Sequence, residues 1–195
     1  MKKLVLTVII TMLCLNYNNL FSSDIFNLNY DLNSFKSNDD STYVEFTFAF
    51  SQDNIFFIKK DSSYISGLSI SLMLTNEKDT ILQNWDIQIN ALDLGEKKGK
   101  LFIGAKQFKA IPGKYNATVK LTDLNKSVNT EIKESIVQIK KYDKLDIDIS
   151  DIMLAYSIEK VANMQYALNP NFVKSDLYII PNPNNELYGI EPLLI

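Results

Sequence analysis

Asp146, Asp148 and Asp151 stand at the spacing D-x-D-x-x-D. Several carboxylate oxygens from one short segment are what calcium takes, so this is the chain's candidate metal site. The run Leu145-Asp146-Ile147-Asp148-Ile149-Ser150-Asp151-Ile152 has neither the Gly nor the Asn of a tight calcium loop. Its alternation reads more simply as an edge strand with one acidic face, kept in water and unable to pair edge to edge. Ser157-Ile158-Glu159-Lys160 fits S-x-x-K, the spacing of a serine nucleophile and a lysine in serine acyl-transfer enzymes. The S-D-N and K-T-G elements that complete such sites are not in the chain, so the match is read as chance.

Other chemistry is excluded by residue type. His is absent from all 195 residues, which removes Ser-His and Cys-His pairs, His bases and His metal ligands together. No P-loop, G-x-G-x-x-G or G-x-S-x-G occurs, and six glycines leave little for a phosphate cradle. Two carboxylates across a cleft could cleave a glycoside, but 23 acidic residues offer no way to choose a pair. No cofactor is expected. A net charge of −3 gives no footprint for nucleic acid.

The first residues read as an address. Met1-Lys2-Lys3 is a short positive start, and residues 4–15 are apolar apart from Thr7 and Thr11, the layout of a secretory signal peptide. The apolar run is too short to span about 30 Å of hydrocarbon, so no transmembrane span is expected after cleavage. Cleavage after Ser22 leaves Ser at −1 and Leu20 at −3. Cys14 is the chain's one cysteine, and Leu13 precedes it where a lipidated cysteine has a small residue. The expectation is therefore a discarded Cys, and a mature chain without disulfide or thiolate metal site. Asn116-Ala117-Thr118 and Asn125-Lys126-Ser127 match glycosylation acceptors, as an Asn-rich chain does by chance.

The rest alternates with period two. Val44, Phe46, Phe48 and Phe50 share one face, with Glu45 and Thr47 on the other. Leu68, Ile70, Leu72 and Leu74 make a second set, and Tyr115, Ala117, Val119 and Leu121 a third. Ile87-x-Ile89-x-Ala91 after Trp85, Leu101-x-Ile103-x-Ala105 and Ser135-x-Val137-x-Ile139 add shorter ones. Turn chemistry separates them at residues 38–41, 76–79, 95–99, 112–113 and 123–125. About seven or eight short strands, with turns about every ten residues, predict an all-β chain: an antiparallel immunoglobulin-like β-sandwich. The aromatics on these strands are read as core, and as a sugar-stacking platform only if they line up exposed.

Pro112-Gly113-Lys114-Tyr115 is the most informative turn. A Pro-Gly corner followed by Tyr at the start of an alternating strand is the setting of a tyrosine corner, where the hydroxyl bonds to upstream backbone. A plain type II turn with a core Tyr is the alternative. The predicted division is a signal peptide over 1–22, a sandwich over 23–142, and over 143–195 a β extension or the start of a second, truncated β domain. Within that last part a strand through residues 150–158 is favoured over a helix capped by Ser150. Residues 176–180 read as a short strand. Pro181-Asn182-Pro183, followed by Asn184-Asn185, reads as a linker or corner that a central strand would not hold.

The residues from Leu145 onward carry a resemblance. Leu-Asp-Ile-Asp-Ile-Ser-Asp-Ile-Met-Leu-Ala, then Phe172-Val173-Lys174, Tyr178-Ile179-Ile180-Pro181-Asn182-Pro183, Leu187-Tyr188-Gly189 and Pro192-Leu193 resemble the amino-terminal region of GWxTD-domain proteins. The strand at Tyr43-Val44-Glu45-Phe46 and the run from Pro112 to Asp123 fit as well. These are exported bacterial proteins of unknown function. The naming motif is absent, since the single Trp stands in Asn84-Trp85-Asp86. The resemblance therefore implies an exported β-sandwich module, an amino-terminal piece or truncated member, with no catalytic residues attached.

The functional expectation is a non-catalytic envelope module in the periplasm or at the cell surface, binding a protein partner or spacing other domains. A carbohydrate-binding accessory module is the alternative, and a proteinase inhibitor on a similar sandwich a third reading.

Overall fold

The computed structural model describes residues 25–183 apart from 38, 127–129, 143–147 and 164–168. The signal-peptide region with Cys14, the candidate ligand Asp146 and residues 184–195 lie outside the described residues. The chain is all-β. Its strands are β1 (Asn29–Lys36), β2 (Thr42–Ser51), β3 (Ile58–Lys60), β4 (Ser63–Thr75), β5 (Thr80–Ala91), β6 (Leu101–Ala110), β7 (Gly113–Asp123), β8 (Thr130–Ile139), β9 (Ala155–Lys160), β10 (Val173–Lys174) and β11 (Leu177–Pro181). Short 3-10 turns stand at Leu94–Lys97, Val161–Asn163 and Pro170–Phe172.

Among the described residues every pairing is antiparallel, and the strands form three sheets. The first has the order β1-β2-β6. In the second, β4 lies between β5 and β7, β8 pairs with β7, and β3 pairs with the start of β4. The third has the order β10-β11-β9.

Alternation builds the core. Val44, Phe46, Phe48 and Phe50 on β2 meet Leu68, Ile70, Leu72 and Leu74 on β4 and Tyr115, Ala117, Val119 and Leu121 on β7 in one buried cluster. Each large side chain in it is worth roughly 1.5–3 kcal/mol over exposure, so the two sheets are held face to face mainly by these strands. Gly104 on β6 faces Phe48 across the first sheet. A Cβ there would lie 2.3 Å from the Phe48 ring, so only glycine leaves room for that ring.

Side chains set the turns. The Asn76 carboxamide oxygen accepts from the N–H groups of Lys78 and Asp79, both at 2.8 Å, which closes the β4–β5 hairpin and sets its register. The buried Asp123 carboxylate accepts from Phe56, Asn125 and Lys126 N–H groups, and so builds the turn after β7. Buried Glu131 on β8 accepts from Phe26 at 2.6 Å and Leu28 at 2.9 Å, pinning the segment ahead of β1. The Tyr115 hydroxyl donates to the Ile111 carbonyl at 2.9 Å, bridging the corner between β6 and β7.

Two expectations need correction. Over its described residues the alternating acidic run is no edge strand: residues 148–154 have no regular structure, and β9 starts at Ala155. Asp151 is instead tied to β1, donating its N–H to the Ser34 carbonyl at 3.0 Å. Pro181 does end a central strand, β11, at a register shift after Ile180, a strand end and irregularity being where proline is tolerated. Asn182 and Pro183 then make a buried corner, and Asn182 N–H donates to the Leu154 carbonyl at 2.9 Å. Glu45 and Thr47 lie on the opposite face of β2 from the phenylalanines, as expected, and that face is buried too. The third sheet lies over the outer face of the first, where Phe172 and Tyr178 form a second cluster with Ala105.

Candidate interaction surface

The third sheet has one face spent and one open. Phe172, Val173, Tyr178 and Ile180 pack with Ile103 and Ala105 of β6. On β9 the side chains that point the other way are Tyr156 and Ile158, both exposed, Ile158 at 60%. Ile149 and Ile152, in the irregular segment that leads to β9, are each 81% exposed. Four large apolar side chains thus stand in water within one short stretch. Single exposed apolar residues are ordinary, and four so close together in the chain are the feature of this region that stands out.

Beside this stretch the charges are already matched. Asp151 accepts from Ser34 N–H at 2.8 Å through one oxygen and from the Lys140 ammonium at 2.5 Å through the other. The bond to Asp151 raises the Lys140 ammonium above its ordinary range. Burial, and then the nearby Asp151 charge, push the Tyr142 phenol up; its hydroxyl donates to Ser34 O at 2.6 Å. Asp151 therefore offers a neutralised carboxylate to any cation, and Asp148 lies exposed three residues away. Among the described residues no three His, Cys, Asp or Glu side chains lie close enough to hold a metal ion.

The remaining sequence motifs separate in space. Ser157 and Lys160 both lie on β9, and three residues apart on a strand they point to opposite faces. The S-x-x-K spacing brings serine and lysine together only on a helix. Trp85 stacks on Phe46 at 5.5 Å, and Phe46, Phe48 and Phe50 are buried, so their rings are turned inward and form no exposed sugar platform. Phe56 departs from the core reading and is about half exposed. Asn125 spends its amide on the Phe56 carbonyl at 3.1 Å.

Buried acids are likewise committed. Glu45 pairs with the Lys174 ammonium, and Glu131 with Lys133 at 3.3 Å besides the two N–H groups it caps. On the surface, Lys109, followed by Ser41 and Ser37, holds the Asp39 carboxyl well below the usual carboxylate range.

No family model, curated protein or solved structure matches this chain.

Glu45 and Lys174 were missed by the sequence reading. One acid inside the otherwise apolar strand Val44-Glu45-Phe46-Thr47-Phe48-Ala49-Phe50 is a signal for a buried pair, but nothing in the sequence names its partner. Among the described residues no helix is long and apolar enough to cross a membrane.

Proposed function

We propose that the chain is a non-catalytic module exported to the cell envelope, where it binds a protein partner or spaces other domains. The observation that carries partner binding is the exposed apolar stretch Ile149, Ile152, Tyr156 and Ile158 beside the third sheet. The positive and apolar start of the chain supports export. The absence of His from the sequence, and the commitment of Glu45, Asp123 and Glu131 to structural bonds, support a module that does no chemistry.

The sandwich is read as immunoglobulin-like. Sheets of order β1-β2-β6 and β5-β4-β7-β8, with a Tyr near the start of β7 bonding to upstream backbone, favour that topology. Membership of the GWxTD-domain proteins is proposed on the residues from Leu145 to Leu193 and on the strands that fit beside them.

Export is tested by fractionation of cells that carry the tagged chain. Recovery from the envelope fraction with the leader removed is expected; recovery from the cytoplasm at full length overturns it. Partner binding is tested by cross-linking in an envelope extract with the wild type and with an Ile152→Glu, Ile158→Glu double variant. A cross-linked species seen with the wild type and lost with the variant is expected. No such species, or one indifferent to the variant, defeats the reading.

A further inference from the structure

The third sheet has a small apolar hold on the first: Phe172 and Tyr178 pack on Ala105, with Ile103, Val161, Val173 and Ile180 part-buried beside them. With Cys14 as the one cysteine, no disulfide within the chain can fasten the two sheets. Polar side chains are buried at the same junction. Tyr30 and Leu32 of β1 pack on the main core, so Asp31, Asn33 and Phe35 point the other way, toward the third sheet. Asn33 stands directly opposite Glu45 in the β1–β2 register. Residues so placed have Cβ atoms about 4.5–5.5 Å apart. Asn33 is 3% exposed and Glu45 1%.

Lys174 comes down on this corner from β10. Its ammonium pairs with the Glu45 carboxylate and lies 5.7 Å from the centre of the Phe35 ring. Glu45 is the residue across from Asn33, and Phe35 is the next residue after Asn33 on the same face, so the two contacts bracket Asn33. The Asn33 amide nitrogen donates to Asp31 at 3.0 Å, and among the described residues none donates to its carbonyl oxygen. A primary amine, a carboxamide carbon and a carboxylate to move protons, held together away from water, are the parts of an amide-forming site.

We propose that Lys174 and Asn33 join through an isopeptide bond that the chain forms on itself, with Glu45 carrying the protons. The Lys174–Glu45 ion pair is the reactant. The ammonium gives a proton to Glu45, which exchanges two buried charges for two neutral groups. The lone pair of Nζ forms a bond to Cγ of Asn33, while the carbonyl π pair moves to Oδ1. That pair then returns, the Cγ–Nδ2 bond breaks, and its electrons leave with Nδ2. Nζ gives up two protons in all. Both pass by way of Glu45 to Nδ2, which departs as ammonium, and Glu45 ends ionised as it began. Nothing is oxidised or reduced, and no outside substrate enters. The reaction runs once, in keeping with a module that acts on no other molecule. Gln107 is the other carboxamide beside Glu45, at 3.4 Å, but it is exposed, so the buried Asn33 is the partner. The bond ties β10 to β1 and closes most of the chain into one loop, the kind of cross-link that restricts the unfolded chain most. It requires neither export nor a binding partner.

The intact mass of the chain as the cell processes it reads the bond. A mass one ammonia below that of the mature sequence is expected. Trypsin should then leave the peptide that ends at Lys36 joined to the one that starts at Val161, uncut after Lys174. Lys174→Arg removes the amine and should show the full mass. Glu45→Gln keeps both joining groups and removes the proton carrier; folded by circular dichroism, it should also show the full mass. A wild type of full mass overturns the proposal whatever the variants do. So does a deficit that Lys174→Arg retains, one that maps to an unbranched peptide as a succinimide does, or one that branches at Gln107. A folded Glu45→Gln chain that still loses ammonia overturns the role given to Glu45.

Discussion

Lys174, on β10, pairs its ammonium with the carboxylate of Glu45, whose side chain is 1% exposed on the outer face of β2. Gln107 of β6 stands 3.4 Å from the same carboxylate, and the Lys174 ammonium also lies 5.7 Å from the centre of the Phe35 ring. One ion pair thus joins the third sheet to the first, at a place where a lone carboxylate would be left without water.

Removing one partner is therefore expected to cost more than removing both. Lys174→Met leaves Glu45 buried and uncompensated, at roughly 3–5 kcal/mol. A Glu45→Gln, Lys174→Met double variant keeps the volume, removes both charges and is expected to lose less. Urea midpoints of the two variants and the wild type check this. A double variant less stable than Lys174→Met shows that the lone Glu45 carboxylate carries no penalty there and is satisfied by other contacts such as Gln107.

Gly104 is expected to tolerate no side chain. Alanine there puts a methyl into the Phe48 ring, which is itself packed between Phe46 and Phe50 and cannot swing aside without disturbing them. Overpacking of this kind costs about 1–3 kcal/mol. Gly104→Ala is checked by thermal unfolding, and the companion Phe48→Leu, which vacates the ring's space, should recover part of the loss when combined with it.

Glu131 is expected to hold the entry to β1. Glu131→Ala strands two buried N–H donors, at Phe26 and Leu28, and bonds to a charged acceptor are worth about 1.5–3 kcal/mol each. Hydrogen exchange at those two amides should accelerate far more than at Val119 in the middle of β7. Equal acceleration everywhere would show that the carboxylate serves global stability and pins no segment.

Stability is expected to fall in alkali. Tyr43, Tyr115 and Tyr142 are all raised above the ordinary value of 10.0, in each case chiefly by burial. Above that value the unfolded chain releases phenolic protons that the folded chain keeps, so the folded state loses ground as pH rises. Below it the three phenols contribute no slope. Denaturation midpoints at pH 8, 9, 10 and 11 check the sign, and Tyr142→Phe should flatten the fall. Tyr115→Phe should in addition cost about 1 kcal/mol at neutral pH through its bond to Ile111.

The strands of the main core were legible because burial on one face leaves a period of two in the residues themselves. β2 and β7 were read almost to their ends on Val44 to Phe50 and Tyr115 to Leu121, and the second half of β4 on Leu68 to Leu74. β1 was not read, since Asn29-Tyr30-Asp31-Leu32-Asn33-Ser34-Phe35-Lys36 buries polar Asn33 and Ser34 and alternates weakly. The candidate calcium residues were legible only as a spacing. Which of them would be neutralised depended on Lys140 and Ser34, the latter more than a hundred positions away in the chain.

The amino-acid sequence by itself determined that this is an all-β chain without histidine chemistry, and which side chains build the space between its two larger sheets. Those are local matters, settled by side-chain type and alternation. Only the tertiary structure decided that a third sheet covers β2, that Glu45 has an ionic partner, and that Ile149, Ile152, Tyr156 and Ile158 face solvent. Each of these depends on which distant segment comes to lie against which face, and one segment's pattern carries no record of the other's position.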